Sequence, residues 1–375
     1  MPRFTPPFSG LVDQEVFAVE AHSVQLIVRA PTDTVTVDID GRHLVSETTA
    51  GVAVVDVADL QPDTTYRAAL SDGDGRSLGE LQPKTRPSLG EVMARFATIS
   101  DVHLGAAQFG PARRIHDEDA VPHTLRCGRA AVNEAAAWGA ELLLVKGDLT
   151  DTGIREEWDL AAEMFRDSPI PFRITAGNHD QWKSREVDPA DGAAMLGVSA
   201  DPVQSIDLPG IRLVLADTSA PNKGTGDMTP IADRLVAAVS TPTPAFVAMH
   251  HNIQRLPIPW FWPPGTASTN AAPVLAELAE ANPTLFLSSG HTHRNRRHRL
   301  GPNNQITFTE VSATADYPGV WAGYEVTERG IRQTVRRIAS PAALSWTEAT
   351  RAAIGGIWPR WSQGRLQDRC VDVEL

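Results

Sequence analysis

The rhythm of apolar and polar positions changes near residue 90. Before it, short runs alternate or are β-branched over 16–19, 24–28, 35–39, 52–57 and 66–70, separated by turn signals such as Asp40-Gly41 and Asp72-Gly73-Asp74-Gly75. Successive side chains of a strand point to opposite faces, so such runs predict half-buried strands. Their even spacing predicts a small all-β sandwich over residues 1–90. The segment 82–87, with two prolines, reads as a linker. From residue 91, apolar strands at 96–100, 141–145, 172–176, 211–216, 245–249 and 285–288 are interleaved with helical stretches at 125–139, 156–167, 231–239 and 274–281. That alternation predicts a layered α/β domain over 91–340. The tail, 341–375, carries Trp346, Trp358 and Trp361 and reads as a helix packed on the surface.

Composition narrows the function classes. A chain of 375 residues with 42% hydrophobic and 21% charged residues suits two soluble globular domains. Two cysteines, Cys127 and Cys370, read as free thiols. Residues 1–13 lack the apolar core of a secretory signal. No window approaches about 18 uninterrupted apolar residues, so no membrane partner and a cytoplasmic location are expected. A net charge of −12 argues against a nucleic-acid polymer as partner. The basic cluster Arg294, Arg296, Arg297 and Arg299 reads as a solvated turn, and His298 as a surface residue.

Within the first domain, Leu60-Gln61-Pro62-Asp63-Thr64-Thr65-Tyr66 resembles the Leu-x-Pro-x-Thr-x-Tyr corner of fibronectin type III domains. There the Tyr hydroxyl bonds back to the backbone where the chain crosses between sheets. No chemistry is visible in this domain; His22 and His43 read as solvated surface histidines.

The chemistry lies in five polar clusters, each at a predicted strand end: Asp101-Val102-His103, Gly147-Asp148-Leu149-Thr150-Asp151, Gly177-Asn178-His179-Asp180, Met249-His250-His251 and Gly290-His291-Thr292-His293. In α/β sheets, ligand sites gather where strands end. Carboxylates and imidazoles without thiolates suit a catalytic Zn, Fe or Mn site rather than a structural zinc. In strand geometry residues i and i+2 face the same way, so Asp101 with His103, and His291 with His293, each place two ligands on one side. Seven candidate ligands exceed the three or four that one catalytic metal needs. They suit two metals sharing a carboxylate, about 3.5–4 Å apart.

The order Asp-x-His, Gly-Asp-x-x-Asp, Gly-Asn-His-Asp, His, Gly-His-x-His, covering roughly residues 94–326, is similar to that of the calcineurin-like metallophosphoesterases. It looks most like the bacterial class III cyclic-nucleotide phosphodiesterases and the glycerophosphodiesterases. The resemblance implies a four-layer α/β/β/α sandwich with two mixed sheets. It implies two divalent or trivalent metal ions, one held by Asp101, His103, Asp148 and His293, the other by Asp148, Asn178, His250 and His291. A solvent bridging two cations becomes hydroxide near neutral pH and would be the nucleophile. By the same resemblance Asn178 and His179 face a small phosphoester substrate, His179 stabilises charge and protonates the leaving oxygen, and Asp151 orients His179 through a hydrogen bond.

Several positions keep two readings. Asp180 is either a helix-start cap or a catalytic group, with the cap favoured, and His251 is either a substrate contact or a packed core residue. Asn252 stands where the family has Pro, which puts the local loop shape in doubt. Loop 105–123 carries Arg113, Arg114, His116 and the run Asp117-Glu118-Asp119. Loop 253–269 carries Pro257, Pro259, Trp260, Phe261, Trp262, Pro263 and Pro264, whose aromatics either stack on a nucleobase or pack as a lid or homodimer contact, with packing favoured. Asp316-Tyr317-Pro318-Gly319 resembles the region that closes the sheet in these enzymes. The leading expectation is a phosphodiesterase acting on a cyclic nucleotide or a glycerophosphodiester. A phosphomonoesterase with the same site, and an inactive scaffold whose sandwich recruits a partner, are the alternatives.

Overall fold

The computed structural model describes residues 13–110, 115–256 and 263–374. The first part of the chain folds into two antiparallel sheets. One has the strand order Gln14–Val19, Val24–Arg29, Val52–Val57. The other has the order Arg42–Glu47, Thr34–Ile39, Ala68–Asp72, Ser77–Leu81. Strands 42–47 and 77–81 escape the sequence pattern because they lie at sheet edges and bury few residues (Arg42–Glu47 alternates between half-buried and exposed). The Gln61 N–H donates to the Tyr66 hydroxyl at 2.7 Å, fastening the turn that leads into the strand Ala68–Asp72. Segment 82–87 is not a free linker: Arg86 N–H donates to Glu20 O at 2.8 Å, and Pro83 O accepts from Tyr66 N–H at 2.9 Å. His22 is exposed, as expected of a surface histidine, with Nδ1 3.0 Å from Leu60 O.

The rest is a four-layer α/β/β/α sandwich. Its first sheet has the order Phe172–Thr175, Leu143–Lys146, Val92–Ile99, Val320–Thr327, Gly330–Arg337, Cys370–Glu374, the first three strands parallel and the others antiparallel. Its second has the order Val203–Leu208, Ile211–Ala216, Ala245–Met249, Leu285–Ser289, Ile306–Glu310, Arg296–Leu300, with the middle four parallel. Strand alternation supplies all the layers. Phe96, Phe246, Phe286 and Tyr324 point inward and fill the space between the sheets, with Phe96 stacked on Tyr324 at 4.7 Å and Phe246 edge-on to Phe96 at 4.9 Å. Ala97, Ile99, Leu143 and Val145 point outward against helices His123–Ala137, Arg155–Phe165 and Pro341–Thr350. On the other flank Val214, Val247 and Leu287 meet helices Ala232–Val239 and Ser268–Ala281. Both cysteines are free and buried. No helix of the described residues is long and apolar enough to cross a membrane.

The strands missing from the sequence reading lie mostly in the last third, where charged residues mask the period. The strand Gly330–Arg337 is buried along its whole length although it contains Arg332, Arg336 and Arg337. Each guanidinium meets a carboxylate: Arg332 with Asp372 at 2.8 Å, Arg336 with Glu20 at 3.0 Å and Asp56 at 2.6 Å, Arg337 with Glu348 at 2.7 Å. The basic cluster expected as a solvated turn is instead the strand Arg296–Leu300 with its lead-in. Arg294 is buried against Glu310 at 2.7 Å, and His298, expected at the surface, bonds the same carboxylate at 2.8 Å. The tail is also more than a surface helix. It ends in the strand Cys370–Glu374, paired with Gly330–Arg337, because Cys370 and Val371 are apolar enough to close the sheet edge.

The tail also fastens the small sandwich to the large one. Glu348 binds Arg29 of the sandwich at 2.7 Å and Arg337 of the central sheet at 2.7 Å. The Gln25 amide pairs with the backbone of Arg337, donating to its carbonyl at 3.1 Å and accepting from its N–H at 2.7 Å. Burial alone would raise the Glu348 carboxyl, but the Arg29 and Arg337 charges outweigh it and hold its pKa at about 2. A carboxyl near 4.3 in the unfolded chain and depressed in the native state stabilises the fold above that unfolded value. The contribution fades as pH falls towards 2. Glu348→Ala leaves two guanidinium groups buried without this partner and should lower unfolding free energy by about 3–5 kcal/mol at pH 7 in urea denaturation. The gap from the parent protein should narrow as pH falls below about 4.5.

Candidate metal centre

The parallel strands of both sheets deliver their C-terminal ends to one edge of the sandwich. Val92–Ile99 leads to Asp101 and His103, Leu143–Lys146 to Asp148, Phe172–Thr175 to Asn178 and His179, Ala245–Met249 to His250, and Leu285–Ser289 to His291 and His293. The pairs two residues apart do not converge by strand geometry. Asp101, His103, Asp148, His291 and His293 all have positive φ, between 48° and 67°. A non-glycine residue there costs on the order of 1–3 kcal/mol, so the surrounding structure must enforce it. Crowding accompanies the strain. A Cβ on Gly177 would sit 2.2 Å from Asp148 Oδ1, and one on Gly290 2.5 Å from Asp101 Oδ2, so the carboxylates occupy space that only glycine leaves free.

The side chains form two sets that share Asp148. In the first, His293 Nε2 is 3.3 Å from Asp101 Oδ1 and 3.3 Å from His103 Nε2, and His103 Nε2 is 3.8 Å from Asp148 Oδ2. In the second, His250 Nε2 is 3.1 Å from Asn178 Oδ1, 3.1 Å from His291 Nδ1 and 3.2 Å from Asp148 Oδ2. Groups of these carboxylate and imidazole atoms within 4.8 Å of one another could hold a metal ion.

The outer partners fix the tautomers. His250 Nδ1 donates to Lys146 O at 2.9 Å, and His291 Nε2 donates to Pro264 O at 2.9 Å. In the neutral rings, His250 Nε2 and His291 Nδ1 are then lone pairs, facing the lone pairs of Asn178 Oδ1 and Asp148 Oδ2. Four acceptors about 3 Å apart repel unless positive charge lies among them. His293 repeats the logic: Nδ1 donates to Asp316 Oδ2 at 2.6 Å, leaving Nε2 towards Asp101 and His103. A metal ion fits this donor set, since His250, His291 and His293 each have their second nitrogen bonded outward. Without a metal, a proton on His250 Nε2 answers the same demand for positive charge. Burial pushes the His250 imidazolium down, but the Asp148 charge outweighs it and lifts its pKa to about 9. Burial together with the His250 charge brings His291 down to about 4. Asp101 and Asp148 are almost fully buried, yet their histidine neighbours hold both below the ordinary carboxylate range.

His179 stands beside this centre. Its N–H donates to Asp148 Oδ1 at 2.8 Å, and its Nδ1 lies 2.7 Å from the backbone carbonyl of Asp151. The Asp151 carboxylate is farther from it, 3.5 Å, and closer to His103 Nδ1 at 3.3 Å. Asp151 therefore bonds His179 by its carbonyl and adds charge by its carboxylate. Burial opposes the His179 cation, but Asp148 and Asp151 raise its pKa to about 10.

Two residues take different places from those the sequence proposed. No helix begins at Asp180, so it caps none. Buried, it accepts from Thr150 N–H at 2.8 Å, Thr150 Oγ1 at 2.7 Å and Gly177 N–H at 2.8 Å, which binds the Asp148 loop to the Asn178 loop. His251 is fully buried with Nδ1 2.9 Å from Thr218 Oγ1 and is absent from the cleft lining, which places it in the packed position of its two readings. Asp316 and Lys146 were missed. Asp316 lies 23 residues beyond His293 in an Asp-Tyr-Pro-Gly turn whose spacing carries no sign of the contact. Lys146, fully buried at the end of an apolar strand, holds Ser288 Oγ and Ser289 O at 2.9 Å, and burial brings its pKa down to about 7. Above the centre opens a cleft of about 500 Å³, lined by His179, Trp182, Phe109, Ile354 and Trp358 among others. Arg113, Arg114, Pro257, Pro259, Trp260, Phe261 and Trp262 lie outside the described residues.

Residues 94–295 match the family model for calcineurin-like phosphoesterases. A probable cyclic nucleotide phosphodiesterase of Psychrobacter arcticus is 27% identical over 172 residues, covering 43% of this chain and 60% of that protein. A second, from Fibrobacter succinogenes, is 28% identical over 101 residues, covering 27% of this chain and 36% of that protein. The matched region thus spans less than two thirds of either relative. A dimetal phosphatase from Danio rerio superposes with a TM-score of 0.48 at 13% identity, covering 67% of this chain and 100% of that one.

Removing the outward bond of His293 should weaken the centre without unfolding it. Asp316→Asn keeps an acceptor for the Trp358 N–H but removes the charge on His293 Nδ1. It should lower Mn²⁺ affinity by about 10–100-fold in a chelator-competition titration, with the unfolding midpoint little changed.

Proposed function

The chain belongs to the calcineurin-like phosphoesterase family, and from that premise we propose that it hydrolyses small phosphodiesters at a centre of two metal ions. The observation that carries this is the convergence of two ligand sets on Asp148, with the tautomers of His250, His291 and His293 fixed by outward bonds so that lone pairs meet. Asp101, His103, Asp148 and His293 are assigned to one ion; Asp148, Asn178, His250 and His291 to the other. Bound cations would supply Lewis acidity to the phosphoryl oxygens and a lowered pKa for water. Carboxylate, imidazole and amide donors suit Mn, Fe or Zn.

The chain's own residues supply the rest. His179 is assigned to the reacting phosphate. With Nδ1 occupied by the Asp151 carbonyl, Nε2 is the nitrogen left to stabilise charge and to give a proton to the departing oxygen. A group protonated at neutral pH suits that role, and a cation held by Asp148 would bring its pKa down towards neutrality by offsetting the charge that raises it. Asn178 joins metal ligation to substrate contact. The likeness to two bacterial probable cyclic nucleotide phosphodiesterases supports a cyclic nucleotide as one substrate class. A glycerophosphodiester is the other.

Metal analysis followed by a phosphoester panel tests the reading. The expected result is close to two metals per chain and hydrolysis of diesters ahead of monoesters. Less than about one metal per chain, with no activity after Mn²⁺ addition, would favour a scaffold; faster turnover of monoesters would favour a phosphomonoesterase. Asp148→Ala should lose both metal and activity. His179→Ala should keep the metal and lose about 10²–10⁴ in kcat; loss of metal equal to that of Asp148→Ala would refute its assignment.

A further inference from the structure

Rings form a row across the floor of the cleft. Trp182 lies on His179 with centroids 5.3 Å apart and planes 14° from parallel. His179 meets His103 at 4.5 Å, His103 meets His293 at 5.3 Å, and His293 meets Trp358 at 6.1 Å. Trp358 in turn meets Phe109 at 5.1 Å. An indole therefore stands on each side of the histidines, with Phe109 beyond Trp358.

The Trp182 end is presented to the cleft, while Trp358 is buried and the exposed apolar group beside it is Ile354. Among the described residues lining the cleft, Trp182 and Ile354 are the exposed large apolar side chains, each 41% accessible. Trp182 is held by its backbone: its N–H donates to His179 O at 3.1 Å, and its carbonyl accepts from the Arg185 N–H at 3.2 Å and from the Arg185 guanidinium at 3.3 Å. Ile354, at the Trp358 end, sits at φ 51°, a conformation that a β-branched residue adopts only when the surroundings impose it. Phosphate chemistry requires neither side chain. An acyclic diester has two organic groups, and a cleft with an apolar wall at each end of the metal floor receives one on each; a cyclic nucleotide, both of whose ester oxygens belong to one nucleoside, places its single base on one wall.

Resting on the phosphodiesterase reading, we propose that Trp182 is the platform for the departing alcohol, and that the preferred substrate is a diester whose leaving group carries a flat aromatic ring, of nucleoside or aryl type. The side follows from His179. The residue assigned to protonate the leaving oxygen has Trp182 on its own face, so the alcohol released there departs along the indole. The ring class follows from the accessible indole, one face of which is covered by His179: a nucleobase or aryl ring stacks on an indole, while a glyceryl group gains only partial apolar cover.

The test compares the Mn²⁺-loaded full chain and its Trp182→Ala and Trp182→Phe variants on bis(4-nitrophenyl) phosphate and on glycerophosphoethanolamine, with metal content measured for each. Comparing each variant with the parent on the same substrate cancels the intrinsic reactivity of the leaving groups. Trp182→Ala should keep its metal and lose about 10–100-fold in kcat/KM on the aryl diester, chiefly through KM, with a change under about threefold on the glyceryl diester. Trp182→Phe should recover most of the loss. An equal fall in kcat on both substrates would make Trp182 a positioning residue for His179 and overturn the proposal, as would no fall on either. A parent protein that hydrolyses neither diester would instead refute the phosphodiesterase reading beneath it.

Discussion

The centre of this molecule is a demand for positive charge. Two carboxylates, Asp101 and Asp148, are buried at the meeting edge of two sheets, where bare anions are costly. Around them stand imidazoles whose protons are already committed, those of His250 and His291 to backbone carbonyls and that of His293 to Asp316. What remains pointing inward is a set of acceptors about 3 Å apart. No arrangement of neutral side chains satisfies it. The rest of the site is built to hold that arrangement: left-handed backbone at five of the ligand positions, glycines where carboxylates press against the chain, and Asp180 binding one loop to the next.

Strain of this kind needs a rigid frame, and the fold supplies it by packing aromatic rings between the sheets. Phe96, Phe246, Phe286 and Tyr324 interlock there, directly beneath the strand ends that carry the ligands. Buried ion pairs add a second restraint. Arg29, Arg337 and Glu348 tie together the small sandwich, the central sheet and the tail, so the three segments behave as parts of one body. The tail also brings Trp358 to the cleft, where its indole N–H holds Asp316 at 3.0 Å. The last segment of the chain thus supports the orientation of His293 as well as one wall of the site.

Orientation distinguishes the groups of the cleft from one another. His179 shares the charge of Asp148 but has its Nδ1 bonded to the Asp151 carbonyl, which leaves one nitrogen available. His251, next in sequence to His250, has the same chemistry and a different fate, because it is fully enclosed against Thr218. Two adjacent histidines at one strand end are separated in role by which side of the strand each leaves.

The sequence by itself determined the α/β layering from residue 91 and the strands that carry the ligands, because apolar runs ending in polar clusters are a local pattern. It also determined which residues gather, since Asp101, His103, Asp148, Asn178, His250, His291 and His293 each follow a strand, and strand ends share an edge. Only the tertiary structure decided how they gather. Strand periodicity predicted same-side pairs at i and i+2, yet left-handed turns deliver them, a conformation set by packing rather than by residue type. Gly330–Arg337 was illegible as a strand because its arginines look solvent-seeking until Asp372, Glu20, Asp56 and Glu348 arrive from elsewhere in the chain. Asp316 and Asp180 were illegible for the same reason. Asp316 acts through His293 and Asp180 through Thr150, partners that sequence distance does not encode and that meet them only once the chain has folded.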